Sequence, residues 1–287
     1  MAARDLSGRT LVVTGASSGI GAAVAEAAGA AGMRVALNAR RADKLDAVAE
    51  RVRAAGGEAL AVPGDVAEEA DLRRLFEEAG AAFGGVDAAL ANAGYGVEKR
   101  FDETSMAEHR DIFETNYFGT LLTLRAGLGA VRANPGGLRH LLVTSSCVSE
   151  LGPPRYGAYA ATKAAQDAVA QALRAEVAGE GVEVTTIHPV GTRTEFFDTA
   201  AAHAGKRRAQ ADTNTPELFT QTPVHVARRV VGALRRPVAE VWPSRVSRFA
   251  FAAATALPGL TAWGLARGEA RMQAAPAPAP GPPAGDA

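Results

Sequence analysis

Apolar residues along this chain follow two alternating rhythms. The unbroken apolar run at 11–13 and the short, largely apolar stretches at 33–38, 59–62, 86–91, 138–145 and 182–187 predict buried strands. Between them the apolar positions recur at helical spacing. Ile20, Val24, Ala27, Ala28 and Ala31 share one face, as do Leu45, Val48 and Val52 in a charged helix over 43–55. Further helices are predicted over 68–82, 105–131, 157–179 and 224–235, with a last strand at 239–242. Strand and helix in strict alternation predict parallel βαβ units. Right-handed crossovers then give an α/β fold with a doubly wound, mostly parallel sheet and helices on both faces.

The rhythm fails in three places. Residues 190–223 are too long for a simple connection in a compact domain, which predicts a binding loop or lid. Its Phe196, Phe197, Leu218 and Phe219 suggest an apolar cover and hence a lipophilic substrate. Residues 249–266 carry no charge and are flanked by Arg245, Arg248 and Arg267. The run is rich in alanine and broken by Pro258-Gly259, so it reads as two short helices rather than a membrane span. They are expected to cover the substrate mouth or a subunit face with Phe249, Phe251, Leu257, Leu260 and Trp263. A segment lying on a membrane, with Trp263 at the interface, is the less favoured alternative. Residues 273–287 are Pro/Ala/Gly low complexity, expected to be disordered. The expected division is a dinucleotide-binding catalytic domain over 1–243, a helical extension over 244–272 and the tail 273–287.

Composition changes the picture mainly by exclusion. The chain has 287 residues and is 47% hydrophobic, enough for one large core. Its 31 basic and 31 acidic residues balance, so no electrostatic footprint points to nucleic acid. A single cysteine, Cys147, excludes an internal disulfide framework and suits the cytoplasm. No apolar signal segment is evident in the first nine residues. The five histidines show no metal-ligand spacing, so no metal is expected.

Two stretches carry candidate chemistry. In Thr14-Gly15-Ala16-Ser17-Ser18-Gly19-Ile20-Gly21 a glycine-rich turn joins the first strand to the first helix. Such a turn lets a pyrophosphate approach the backbone, where the helix N-terminus offers free N–H donors. Far downstream, Tyr159 and Lys163 stand four apart, on one face of a helix. A cation beside a phenol favours phenolate, so Lys163 is expected to lower the Tyr159 pKa.

With these stand Asp65-Val66, Asn92-Ala93-Gly94, Asn116, Ser146 and His188-Pro189, in that order. The ordered set resembles the short-chain dehydrogenase/reductase family over roughly residues 6–241. The resemblance implies an oxidoreductase exchanging a hydride between a nicotinamide cofactor and an alcohol/carbonyl pair. Gly15, Ser17, Ser18, Gly19, Ile20 and Gly21 would hold the pyrophosphate side, Asp65 and Val66 the adenine edge, and Asn92, Ala93 and Gly94 the adenosine side. Ser146 would hold the substrate oxygen and Tyr159 exchange its proton. Lys163 would tune Tyr159 and bind the nicotinamide ribose. Asn116 would bend its helix and hold a relaying water. Pro189 and Thr194 would approach the nicotinamide. Relatives read Pro-Gly where this chain has Pro189-Val190-Gly191, so the glycine has moved by one. Many relatives pair through the long helices, which implies a homodimer or homotetramer.

The end of the second strand bears on the choice of cofactor. An acid there would hold a ribose 2′-hydroxyl, whereas arginine suits a 2′-phosphate. The chain reads Asn38-Ala39-Arg40-Arg41, which favours NADP. Tyr156 has no lysine four residues on and is expected to line the pocket. Cys147 and His188 read as structural. The alternative function is a non-catalytic dinucleotide-binding or sensing protein on the same fold, for which an intact Ser146, Tyr159, Lys163 and Asn116 would serve no purpose.

Overall fold

The computed structural model describes residues 2–192 and 221–274. Seven strands form one sheet: β1 (Thr10–Thr14), β2 (Arg34–Asn38), β3 (Glu58–Ala61), β4 (Ala88–Ala91), β5 (His140–Thr144), β6 (Glu183–Ile187) and β7 (Glu240–Val241). Their order across the sheet is β3-β2-β1-β4-β5-β6-β7, and every neighbouring pair is parallel. The order reverses between β1 and β4, which opens a crevice at their carboxyl ends.

A parallel sheet must be covered on both faces, which explains why its strands are largely apolar rather than alternating. In β1, Leu11 and Val13 join one core cluster and Val12 the other. The first cluster lies under α1 (Gly19–Gly29), α2 (Ala42–Ala54) and α7 (Pro223–Arg235). The second lies under α3 (Glu69–Phe83), α5 (Gly119–Arg132) and α6 (Gly157–Glu176). Helix α3 stops at Gly84, whose φ of 78° accepts a left-handed cap that a side chain would oppose.

Most expected elements occur within a residue or two of their predicted bounds. The helix expected over 105–131 is interrupted. Helix α4 (Met106–Phe113) passes into a π-helical segment, Glu114–Phe118, before α5 begins. Asn116 sits in that segment and is fully buried. A residue whose amide competes for backbone partners suits a place where the regular ladder is broken. Beyond β7, α8 (Arg245–Ala256) and α9 (Pro258–Ala274) break at Leu257-Pro258 with a bend of 107°. Two helices with a proline break are therefore present, as expected. Phe249, Leu257, Leu260 and Trp263 do not close over the cleft but point outward, 54–75% exposed on the single chain. Only a narrow inner stripe that includes Phe251 and Leu265 packs inward. Gln273 and Ala274 end α9, and the rest of the low-complexity tail lies outside the described residues.

Opposite the crevice, Asp87 ties three strands together. Its carboxylate accepts from Thr10 N at 2.8 Å, Leu138 N at 3.1 Å and the Arg9 guanidinium at 3.2 Å. Asp87→Ala leaves two backbone N–H groups with no partner where water is scarce, at a cost of roughly 2–5 kcal/mol. The midpoint of thermal unfolding should fall on the order of 10 °C. A melting curve within a degree or two of wild type would refute this role.

Candidate active site

A cleft of about 1000 Å³ runs along the carboxyl ends of the strands. At one end it is lined by the glycine loop with Ala39, Arg40 and Arg41. At the other lie Ser146, Tyr159, Lys163 and Pro189. The expected site residues Gly15, Ser17, Ser18, Gly19, Ile20, Asp65, Val66, Asn92, Ala93 and Gly94 all line it. Gly21 lies just behind, in the first turn of α1. Asn116 also stands behind the wall, and Thr194 lies outside the described residues, as do Phe196, Phe197, Leu218 and Phe219.

The glycine loop is shaped by crowding. A Cβ on Gly15 would fall 2.7 Å from Ala93 Cα, and one on Gly21 would collide with the Gly15 carbonyl. Asn92 knits this junction together, its Nδ2 donating to Thr14 O at 3.1 Å and Gly15 O at 3.3 Å. Helix α1 therefore begins at the cleft, with no side-chain cap and no acid in its first turn. Its free N–H groups suit an anion. Two buried hydroxyls lining the cleft, Thr144 Oγ1 and Thr192 Oγ1, have no partner among the described residues. A dinucleotide fits these features: a cradle without side chains for its pyrophosphate, and unspent donors further along.

The end of β2 itself brings no carboxylate to the cleft, the nearby acid being Asp65 from beyond β3. Arg41 NH2 donates to both Ser17 Oγ and Ser18 Oγ at 3.0 Å. Arg40 lies 3.6 Å from Asp65, with 71% of its side chain exposed. Two guanidiniums and two hydroxyls thus converge where a ribose would extend from the adenine side.

The reacting end is drier. Tyr159, Lys163 and Ser146 are all buried. Ser146 hydrogen-bonds the Tyr159 phenol. Lys163 Nζ lies 5.6 Å from the Tyr159 ring centroid and donates to Thr144 O at 2.8 Å. Burial pushes the phenol well above its usual range, and the Ser146 hydrogen bond only partly opposes it. Burial also lowers Lys163 to about 8, with Asp167 pulling the other way. The lowered tyrosine expected from the sequence is thus not what this arrangement produces. Desolvation outweighs the neighbouring cation because both groups have left water, and the ammonium spends its short contact on a carbonyl.

Asn116 bends its helix as expected. Its amide Nδ2 donates to Tyr95 O at 2.9 Å and Thr162 Oγ1 at 3.1 Å, and its Oδ1 accepts from Tyr95 N at 2.9 Å. Its main-chain oxygen accepts from Gln166 Nε2 and Thr120 Oγ1. These are scaffold contacts, linking the π-helical segment to α6 and to the strand β4 exit. Gly94 must be small here, since a Cβ would lie 2.9 Å from Asn116 Oδ1.

Two residues escaped the sequence reading. Gln166 fills the space beneath Asn116. Asp167 continues the Tyr159–Lys163 stripe by another four residues, and its Oδ2 lies 3.8 Å from His188 Nδ1. The i, i+4 spacing that singled out Lys163 also pointed to Asp167. His188 is buried and stacks on Trp242 with ring centroids 4.5 Å apart. Tyr156 lines the cleft as expected and donates to Glu98 at 3.0 Å. Burial, reinforced by that carboxylate, raises its phenol. Cys147 is a buried thiol pushed up to about 12 by desolvation, so it stays protonated and unreactive. Pro189 O accepts from Cys147 N at 3.1 Å, and the displaced glycine, Gly191, takes a φ of 43°. No cluster of metal-ligating side chains occurs among the described residues.

The family model for short chain dehydrogenases matches residues 9–205. A 3beta-hydroxysteroid dehydrogenase of Eggerthella lenta is 36% identical over 71% of this chain and 80% of its own length. Among solved structures, an alcohol dehydrogenase from Thermococcus sibiricus complexed with 5-hydroxy-NADP is 30% identical, with a TM-score of 0.69, covering 81% of this chain and 94% of that one. A 3-ketoacyl-(acyl-carrier-protein) reductase from Brucella melitensis complexed with NADH is 27% identical, with a TM-score of 0.71, covering 81% and 92%.

Proposed function

The chain belongs to the short-chain dehydrogenase family and is an oxidoreductase, and on that premise we propose that it interconverts a lipophilic alcohol and its carbonyl compound with NADP(H). The observation that carries this reading is the buried contact of Ser146 with Tyr159, beside Lys163, at the end of a dinucleotide-shaped cleft. Bound nicotinamide would supply the hydride acceptor or donor. Ser146 orients the substrate oxygen. Tyr159 gives that oxygen a proton in reduction and takes it in oxidation. Lys163 supports the phenolate left behind by reduction. The raised phenol implies that Lys163 alone does not create that phenolate. The positive charge of oxidised nicotinamide supplies the remainder in the alcohol-oxidising direction. Asn116 is assigned the support of this wall, with a proton-relaying water at its carbonyl as the finer role. Thr192 Oγ1, buried in the cleft and without a partner among the described residues, is assigned to the nicotinamide amide, the role the resemblance gave to Thr194.

Lipophilicity follows from the substrate end, where Val148, Pro153, Tyr156, Phe251 and Leu265 line the cleft. The Eggerthella relative is named for a hydroxysteroid, which agrees with an apolar substrate. NADP follows from Arg40, Arg41, Ser17 and Ser18 converging without a carboxylate from β2. Solved relatives carrying NADP-type and NADH ligands leave this choice to the chain's own residues. A homodimer or homotetramer, and a cytoplasmic setting, complete the proposal.

Tyr159→Phe should lower kcat by about 10²–10⁴ while NADPH affinity, measured by fluorescence titration, stays within about twofold. Retention of wild-type turnover would strip Tyr159 of its assigned role, whereas a wild-type protein that binds NADPH but turns over no member of a carbonyl panel would favour the non-catalytic, nucleotide-sensing reading.

Wild-type kcat/KM should be higher with NADPH than with NADH. Replacing Arg40 and Arg41 by Ala should reduce NADPH affinity about tenfold per arginine, the low end for charged hydrogen bonds because Arg40 is largely solvated. A wild-type preference for NADH would contradict this assignment.

Asp167 opposes the burial that lowers Lys163 to about 8. Lys163 loses its proton as pH rises through that value, so reduction should decline above about pH 8. Asp167→Asn removes the opposing charge, leaves desolvation unopposed and lowers the Lys163 pKa further. The alkaline fall of kcat should therefore begin at lower pH, while the Kd for NADPH at pH 6.5 changes little. A merely structural role would lower kcat at all pH values without moving the limb.

A further inference from the structure

Helices α8 and α9 present two faces of opposite duty. From the inner face, Phe251 and Leu265 reach the cleft. On the outer face, Val246, Phe249, Leu257, Leu260 and Trp263 are 54–75% exposed and fall at helical spacing on either side of the bend. The bend places Leu257, Pro258 and Leu260 at an apex. The arms run back from it to Arg245 at one end and to Arg267 and Arg271 at the other. Neither helix is long and apolar enough to cross a membrane alone.

Charge identifies the occupant of this face. The single acid of the two helices, Glu269, is held by Arg155 at 3.1 Å. Arg248 is held by Glu150 at 3.2 Å and Glu240 at 3.5 Å. Arg245 and Arg271 have no ion-pair partner among the described residues, and Arg267 lies over the Trp263 ring, 5.4 Å from its centroid. A two-fold contact with a second copy would set this cationic surface against itself with no acid left to meet it. An anionic bilayer meets both halves of the pattern: apolar side chains enter the acyl boundary, and arginines remain among the headgroups.

We propose that the outer face of α8 and α9 docks on an anionic lipid surface, with Leu257, Leu260 and Trp263 inserted at the apex and Arg245, Arg267 and Arg271 on the headgroups. This goes beyond the catalytic reading and does not depend on it. The helices that wall the cleft are then the ones that rest on the lipid, which places the substrate end beside the bilayer.

The test is co-sedimentation of the full-length protein with vesicles of phosphatidylcholine alone or mixed with phosphatidylglycerol. Binding should be on the order of 100-fold tighter to the anionic vesicles, the sum of three arginines near a charged surface. The L260E/W263E variant should lose binding about 100-fold or more, with an unchanged melting temperature and unchanged NADPH binding. R267E/R271E should lose the preference for phosphatidylglycerol, and this variant decides the matter if L260E/W263E melts early. Three results overturn the proposal: no sedimentation with either vesicle, wild-type binding by both variants, or a dimer that L260E/W263E splits in sedimentation velocity while neither form binds vesicles.

Discussion

Keeping a cation where water has been excluded is the constraint around which this site is built. Lys163 is 4% exposed, and its ammonium has Thr144 O at 2.8 Å and the Asp167 carboxylate one turn away on its own helix. Ser145 Oγ also donates to the Lys163 carbonyl at 3.2 Å, so the end of β5 and the residue after it hold the lysine by both side chain and backbone. An unpaired buried ammonium would simply give up its proton. The carbonyl and carboxylate keep its loss within reach of ordinary pH rather than complete. The same dryness raises Tyr159, so the pair is balanced between two costs, and any charge arriving in the cleft acts on it at low dielectric.

Much of this was legible in the sequence, for identifiable reasons. The strands read clearly because a sheet covered on both faces turns each strand into an apolar run, as in Leu11-Val12-Val13. The glycine loop read clearly because Gly15 and Gly21 have no room for a Cβ. Tyr159 and Lys163 could be paired because a helix converts spacing into proximity. What escaped depended on partners remote in the chain. The contact of Asp167 with His188 needs α6 to lie on β6. The rise of the Tyr159 phenol depends on burial that only the folded chain reveals. Phe249, Leu260 and Trp263 were expected to cover the substrate mouth or a subunit face, and hydropathy alone does not distinguish a side chain that faces the cleft from one that faces outward.

The departures from the family pattern fall at the edges of the cleft, not at its centre. Gly191 has moved by one position and takes a positive φ, after which Thr192 bridges to Gln221. Arg41 already engages two loop serines, so the cofactor end carries its own organised hydrogen bonds. Between these edges Asn92 fixes the β1–β4 junction. Chemistry and cofactor preference can therefore vary at the rims while the junction stays fixed.

The π-helical segment at 114–118 sets the phase of everything after it. Ile112, Asn116, Thr120, Thr123, Gly127 and Val131 form one buried stripe across α4 and α5. That stripe uses one residue more than about five turns of 3.6 would need. The surplus residue is what lets Asn116 face Tyr95 and Thr162 while Thr123 and Gly127 still face the sheet. Deleting one residue between 114 and 118 would let the segment relax to a regular helix that leaves α5 in phase with α4, but would remove the widening that turns Asn116 toward Tyr95 and Thr162. Adding a residue, with no second widening to absorb it, would instead turn α5 by about 100° against the core. Through this register the helix count of residues, and not only their identity, is tied to the catalytic wall.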